Sequence, residues 1–157
     1  MNTKLLSVAD VSEAAGLSTR ELRGWCDKGI VVPDAGGEGQ GDHRMFSVVR
    51  TVGVAVAVQV RNTSQGCVPE YVKQVVAAFA SMDEKDLLKE FKKGQTHLVM
   101  VHYGKPILRG KEYDWVDVQA TYQNVTKKIA KIEQRYAGFV GGRGRGLATH
   151  ATSEATS

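Results

Sequence analysis

The hydrophobic and polar positions of the first thirty residues predict two short helices joined by a tight turn. Ser7 can cap a helix whose apolar residues recur at helical spacing until Gly16 ends it. Ser18 and Glu21 form a capping-box pattern at the start of a second helix, which Gly29 ends. The apolar residues of the two helices are Val8, Val11 and Ala15, then Leu22, Trp25 and Cys26. Two short helices with a glycine in the connecting turn are the sequence pattern of a helix-turn-helix.

The next segment predicts two extended stretches around a flexible loop. Residues 30–33 (IVVP) leave the second helix as an extended segment, and residues 43–46 (HRMF) form another. The loop between them, residues 34–42 (DAGGEGQGD), is nearly half glycine and does not favour regular structure. A strand, a loop and a strand directly after a helix-turn-helix are typical of a wing, although an ordinary surface hairpin has the same composition.

Residues 52–60 (VGVAVAVQV) support two interpretations. Valine recurs at every second position, and this period of two with β-branched residues predicts a strand. Because alanine is also apolar, the alternation is between large and small side chains, which a buried helix would show equally well. The residues alone leave this choice open.

Two further helices and a β-hairpin follow. Pro69 fits the first turn of a helix whose apolar residues are Tyr71, Val72, Val75, Val76 and Phe79. Residues 83–93 predict a shorter helix that ends at Gly94, with an inner side formed by Leu87, Leu88 and Phe91. Residues 96–103 (THLVMVHY) are the clearest strand pattern in the chain, and residues 107–108 begin a return strand.

From residue 118 onward, apolar residues recur at alternating steps of four and three, which is a heptad pattern. They are Val118, Tyr122, Val125, Ile129, Ile132, Tyr136 and Phe139. The pattern predicts a long amphipathic helix over residues 117–140 that pairs with a partner helix to form a homodimer. The alternative is a single amphipathic helix that packs on its own domain. Residues 141–157 contain little to bury and predict a disordered tail rich in Gly, Arg, Ser and Thr.

Composition confines the chain to the globular class. Of its 157 residues, 42% are hydrophobic and 24% are charged, which provides a core and excludes wholesale disorder. No apolar run approaches the roughly 18 residues of a membrane helix, and the charged N-terminus does not resemble a signal peptide. The two cysteines have no CxxC spacing. We therefore expect a soluble, cytoplasmic protein without a membrane partner.

The net charge of +4 indicates an acidic partner, and its distribution along the chain is uneven. Residues 1–75 carry eight Lys and Arg against eight Asp and Glu, whereas residues 76–157 carry thirteen against nine. The first half is neutral. If it binds nucleic acid, it must therefore do so through a few well-placed arginines rather than through bulk charge.

The first 76 residues resemble the N-terminal DNA-binding domain of the mercury-resistance-type (MerR) regulators. That family has the pattern G-[VL]-S-x-R-T-L-R-Y-Y-x-x-x-G-L-[VIL]-x-P, and residues 16–33 read GLSTRELRGWCDKGIVVP. The family's wing ends in G-[YH]-R-x-Y-S, where residues 42–47 read DHRMFS. Its G-F-S-x-x-E-I segment corresponds to residues 66–72 (GCVPEYV).

The resemblance implies a mainly α fold with small β elements. A winged helix-turn-helix domain would occupy residues 1–76, a connecting helix and β-hairpin residues 77–116, and a dimerisation helix residues 117–140. In this family a C-terminal helix pairs antiparallel with its copy to form the dimer. The resemblance also makes residues 47–61 a helix capped by Ser47, with an inner side formed by Val49, Val52, Val56 and Val60.

The resemblance assigns DNA contacts to the second helix and the wing. The start of that helix would enter the major groove, where Arg20 can pair with a guanine edge or grip a phosphate, and Arg23 would hold the DNA backbone. Trp25 stands at a family tyrosine that touches phosphate, and its indole N–H can still donate. In the wing, His43 and Arg44 would reach phosphates or the neighbouring minor groove. The expected DNA-binding residues are Ser18, Thr19, Arg20, Arg23, Trp25, Lys28, His43 and Arg44.

Three positions depart from the family pattern. Gly24 stands where the family has an aromatic residue, Glu21 replaces a threonine, and Asp42 replaces a glycine in the wing. Each change weakens a generic grip on phosphate. These changes favour a further hypothesis, a protein-interaction module that has lost DNA binding.

No catalytic or metal-binding pattern is found, since GxSxG, P-loop, HExxH and paired-carboxylate signatures are all missing. We expect no enzyme activity, no cofactor and no metal. The predicted function is a sequence-specific, double-stranded DNA-binding transcriptional regulator that acts as a nucleoid-associated homodimer. RNA polymerase and phage or host DNA-processing proteins are further candidate partners. The alternative is a phage or mobile-element DNA-bending, architectural accessory factor (excisionase-like) without a small-molecule effector, because the hairpin at residues 96–109 is too small to enclose a ligand.

Overall fold

A computed structural model describes residues 4–36, 43–63, 69–100, 106–110 and 116–143. Within these residues the chain is mainly helical and has two small antiparallel sheets, which confirms the expected fold class at that level. The elements, in chain order, are β1 (Leu5–Ser7), α1 (Val8–Ala15), α2 (Thr19–Asp27), β2 (Met45–Ser47), α3 (Val48–Thr63), α4 (Pro69–Ala80), α5 (Glu84–Lys92), β3 (His97–Met100), β4 (Pro106–Arg109), β5 (Val116–Asp117) and α6 (Val118–Arg143).

The turn between α1 and α2 follows from its capping residues. Ser7 Oγ accepts a hydrogen bond from the backbone N–H of Asp10 (3.2 Å), and Gly16 adopts a φ of 85° where α1 ends. Ser18 Oγ accepts from the backbone N–H of Glu21 (3.0 Å), and Glu21 Oε1 accepts from the backbone N–H of Ser18 (3.1 Å). The two predicted helices and the predicted capping box are thus confirmed.

The segment after α2 differs from the predicted hairpin. Residues 30–33 form no strand, and the strand paired with β2 is β1, which was not predicted. A single isolated bridge joins Ala35 to Met45. Pro33 has no backbone N–H to donate to a ladder, so the chain approaches β2 at one point rather than along a strand. Residues 37–42 of the predicted loop lie outside the described residues.

The helix α3 settles the ambiguous pattern of residues 52–60. It contacts α1, α4, α5 and α6, and its apolar side chains are buried around the whole circumference, including Val52, Val54, Val56, Ala57 and Val60. An apolar surface on all sides of a helix is stable only when neighbours cover it, and this packing outweighs the weak helix propensity of valine. Ser47 Oγ accepts from the backbone N–H of Arg50 (3.1 Å), as expected of a cap.

The shorter helix α5 confirms its predicted position and corrects one inner residue. Asp83 caps it, and Gly94, with a φ of 84°, follows its end. Leu87 and Phe91, four residues apart, are buried, whereas Leu88 is 40% exposed. The prediction that Leu88 faces inward is wrong because it lies to the side of the line that Leu87 and Phe91 form on the helix.

The hairpin of β3 and β4 is confirmed, with Leu98 opposite Leu108. A short third strand, β5, pairs with the other edge of β3 and brings Val116 opposite Leu98. Sequence analysis missed β5 because two residues carry no alternation. Residues 101–105, which include the end of the predicted strand and the turn, lie outside the described residues.

The heptad residues of α6 are covered by the chain itself. Val118, Val125, Ile129 and Ile132 are each at most 4% exposed, in a helix that packs against α1 and α3. These four side chains pack within the chain, as in the alternative of a single amphipathic helix on its own domain, and the expected homodimer stays a prediction. A helix on its own domain and a helix on a partner need the same apolar spacing. Tyr122 and Tyr136 are half-buried, and the side chain of Phe139 lies outside the described residues.

Polar contacts also hold α6 against α1. The hydroxyl of Tyr136 donates to Asp10 Oδ1 at 2.6 Å, and Arg135 Nη2 donates to both carboxylate oxygens of Glu13 at 2.7 Å. Burial, followed by the hydrogen bond to Asp10, raises the pKa of Tyr136 to about 12. At the opposite edge, Lys4 forms an ion pair with Glu133. The predicted DNA-binding segment and the C-terminal helix are therefore packed together.

A single cluster of buried residues draws on all six helices, so the three predicted segments share one core. The helix α6 extends to Arg143, beyond the predicted end at residue 140, and the remaining tail lies outside the described residues. Among the helices of the described part, none has both the length and the apolar character needed to cross a membrane.

Candidate nucleic-acid interface

The helix α2 presents one charged face to solvent. Arg20, Arg23 and Asp27 are spaced by three and four residues and are all exposed, whereas Leu22, on the opposite side, is fully buried. Gly24 lies beside these charged residues. The capping box and the burial of Leu22 fix which side of α2 points outward.

Two cationic side chains of this face have no partner among the described residues. The side chain of Arg20, in the first turn, forms no hydrogen bond or ion pair with any of them, and the same holds for the side chain of Lys28 at the end of the helix. Thr19 is half-buried at the helix start, and the Ser18 hydroxyl accepts from the backbone, which leaves its proton to donate elsewhere. Arg20 and Lys28 are thus the basic groups most accessible to an anion.

An arginine of α3 compensates the acidic residue in the first turn of α2. Glu21 Oε2 accepts a hydrogen bond from Arg61 Nη1 at 2.8 Å. The hydrogen bond from the backbone N–H of Ser18 holds the pKa of Glu21 below its usual range, against the opposing effect of burial and with a further contribution from the charge of Arg61. The negative charge that was expected to weaken the grip on phosphate is therefore paired with an arginine of the same chain, at the protein surface.

The same arginine covers an aromatic ring of α2. The guanidinium carbon of Arg61 lies 5.7 Å from the ring centroid of Trp25, at the distance of a cation–π contact. Trp25 is half-buried and packs against the core, as does Cys26, whose burial raises its thiol pKa. Cys26 therefore has the character of a packing residue rather than of a reactive thiol.

Arg44, an expected DNA-binding residue of the wing, forms an ion pair with α2. Its Nη2 lies 2.8 Å from Asp27 Oδ1, and its side chain is only 12% exposed, so the guanidinium faces the end of α2 rather than solvent. It positions the wing segment against α2 and neutralises Asp27. His43, the neighbouring wing residue, is exposed.

A polar contact between Asp34 and the start of α3 was not predicted from the sequence. Asp34 accepts hydrogen bonds from the backbone N–H of Ser47 (2.6 Å) and from Nε and Nη2 of Arg50 (3.2 Å each). This contact joins the segment after α2 to the start of α3. Ser47 and Arg50 lie 13 and 16 residues from Asp34 in the sequence, and no local pattern indicates contacts at such separations.

Metal-binding groups are not assembled in the part of the chain that the structure describes. No cluster of three or more His, Cys, Asp or Glu side chains occurs among these residues. The buried His97 lies near Asp117, with 3.7 Å between Nε2 and Oδ2.

Neither a protein-family model nor a curated protein matches this chain. The assignment of the candidate interface therefore rests on the residues of this chain alone. The structure brings Arg20, Arg23 and Lys28 together on exposed positions of α2, keeps His43 accessible, and engages Arg44 and Trp25 in contacts within the chain.

Proposed function

We propose that this protein binds double-stranded DNA in a sequence-specific manner, as a winged helix-turn-helix protein with α2 as its recognition helix. The observation that carries the proposal is the pairing of charges on α2. Both acidic residues of the helix, Glu21 and Asp27, are neutralised by arginines from elsewhere in the chain, while Arg20 and Lys28 have no partner among the described residues. The outer face of α2 is thus basic although this half of the chain is neutral.

The position of Gly24 supports a close approach of DNA to α2. A Cβ atom at this residue would meet nothing within 4 Å, so packing within the chain does not require a glycine there. Glycine in a helix interior costs roughly 0.5–1 kcal/mol relative to alanine. A groove edge or phosphate that comes close to the backbone between Arg20 and Lys28 explains why this cost is kept.

In this proposal the arginines of α2 have separate tasks. Arg20, in the first turn, forks onto the O6 and N7 acceptors of guanine in the major groove. Arg23 and Lys28 contact phosphates, which fix the position of the helix without reading sequence. His43 contacts the backbone beside the groove, and Arg44 keeps the wing segment in place through Asp27.

The resemblance to the mercury-resistance-type regulators extends the proposal to the regulation of transcription. Because Val118, Val125, Ile129 and Ile132 of α6 are buried within one chain, the proposal assigns DNA reading to one α2 and does not use a dimer held by those residues. A single chain would read one short contiguous motif.

The proposal is tested by selecting bound duplexes from a random-sequence pool. We expect the wild-type protein to enrich one motif, and Lys73→Ala, which removes an exposed charge on α4, to enrich the same one. Arg20→Ala should lose the preference for guanine at one position. An absence of enrichment with the wild-type protein, or an unchanged motif with Arg20→Ala, would contradict the proposal.

A further inference from the structure

The outer face of α6 carries three exposed lysines that have no role in the proposed contacts of α2. Lys127, Lys128 and Lys131 are all exposed and lie on the side of the helix away from the buried heptad residues. None of them forms an ion pair with a described carboxylate. Glu133 is the only acidic residue between 118 and 143, and it is paired with Lys4.

This arrangement differs from that of an ordinary solvated helix face. Such a face mixes both signs of charge, often with opposite charges three or four residues apart. Here Lys131 follows Lys127 by four residues and Lys128 by three, so like charges are neighbours on the helix surface and repel each other. A polyanion bound along this face would relieve that repulsion.

The helix α5 provides a contrast within the same chain. It also has three exposed lysines without an ion pair to a described carboxylate, Lys85, Lys89 and Lys92, but it carries the acidic residues Glu84, Asp86 and Glu90 among them. The positive charge of α5 is therefore offset locally, whereas that of α6 is not.

We propose that the lysine face of α6, formed by Lys127, Lys128 and Lys131, is a second DNA-binding surface that contacts the phosphate backbone without reading sequence. The inference rests on the proposed function. Because α6 packs on α1 and α3, and Arg61 of α3 pairs with α2, the lysine face is carried by the same packed core as the recognition helix. This surface supplies affinity and salt dependence, while α2 supplies sequence preference.

The test compares two triple variants of the full chain that lose the same charge. One carries Lys127→Gln, Lys128→Gln and Lys131→Gln; the control carries Lys85→Gln, Lys89→Gln and Lys92→Gln. Lysine and glutamine have similar helix propensities, and circular dichroism would check that both variants fold. Affinity for the selected duplex and for a scrambled duplex is then measured over a range of salt concentrations.

We expect the α6 variant to reduce the slope of log affinity against log salt by roughly 2 to 3, since each lost phosphate contact removes about 0.9. Its affinity for the two duplexes should fall by the same factor, and the α5 variant should keep the wild-type slope. Equal slopes for the two variants, or an α6 slope equal to that of the wild type, would overturn the inference and leave the proposed function standing. Failure of the wild-type protein to bind either duplex at low salt would overturn both.

Discussion

The helices α2 and α6 are both amphipathic, yet their outer faces treat charge in opposite ways. On α2 the acidic residues Glu21 and Asp27 are paired by arginines that come from distant parts of the chain. On α6 the lysines of the outer face form no ion pair with a carboxylate of the described residues, and the one acidic residue in the sequence of the helix, Glu133, is paired with Lys4. The comparison shows that the net charge of a segment does not predict the charge of its exposed face, because ion pairs decide which charges at the surface are left uncompensated.

The buried side of α6 gives the largest expected effect. Ile132→Ala removes a side chain that is 1% exposed, and we expect it to lower the free energy of unfolding by about 2–5 kcal/mol. The exposed Gln134 is the matched control on the same helix, and Gln134→Ala should change stability by less than about 0.5 kcal/mol. Both are measured by urea unfolding at several protein concentrations.

That experiment also separates the two interpretations of the heptad pattern. If the residues pack within one chain, the unfolding midpoint of the wild-type protein does not depend on concentration. If they join two chains, the midpoint rises with concentration and Ile132→Ala removes that dependence. The second result would contradict the packing described for α6.

The contact between α6 and α1 predicts a loss of stability at alkaline pH. Because the pKa of Tyr136 is raised to about 12 in the folded protein, its contribution is fully present below about pH 10 and is lost as the pH rises toward 12. Tyr136→Phe should cost about 1 kcal/mol at pH 7 and flatten this alkaline decline. Tyr122, whose pKa burial and Glu84 also raise to about 12, contributes to the remaining slope.

The measurement is thermal unfolding of the wild type and of Tyr136→Phe between pH 9 and pH 12. If the stability of both falls with the same slope against pH, Tyr136 titrates at its ordinary pKa. In that case the hydroxyl would not be held between α6 and Asp10.

A substitution on the exposed side of α2, Gly24→Ala, gives the smallest expected effect on stability. We expect it to raise stability and to weaken DNA binding. Gly24→Ala should raise the free energy of unfolding by about 0.5–1 kcal/mol, because alanine favours the helix and its Cβ meets no neighbour. The same change should weaken DNA binding several-fold by adding a group where DNA approaches the backbone. A gain in stability without any change in DNA affinity, measured by fluorescence anisotropy, would mean that this face does not contact DNA.

The sequence predicted those elements that local signals specify. Ser7 and Ser18, with glycines at the helix ends, define α1 and α2 because capping depends on residues three positions apart. The helix α3 required the resemblance, because its valines favour a strand and only the surrounding helices make it stable as a helix. The strands β1 and β5, with three and two residues, were too short to give a pattern.

The candidate interface could be predicted only in part, because local signals specify only part of it. Its basic residues lie within one helix and follow from spacing. The contacts that decide its charge join Glu21 to Arg61 and Asp27 to Arg44, pairs that are 40 and 17 residues apart. No sequence pattern connects residues at such separations. The heptads of α6 differ, because the same spacing suits a helix that packs on its own chain and a helix that packs on a partner.

The central claim is that Arg20 reads DNA by the geometry of its guanidinium rather than by its charge. Arg20→Lys keeps the charge and removes the planar fork, so it tests this claim most directly. The measurement is the ratio of Kd for the selected duplex to Kd for a scrambled duplex at fixed salt. We predict that the variant loses about 5- to 150-fold of this discrimination, equivalent to about 1–3 kcal/mol, while its affinity for the scrambled duplex stays the same. An unchanged ratio, or equal losses on both duplexes, would contradict the assignment of α2 as the recognition helix.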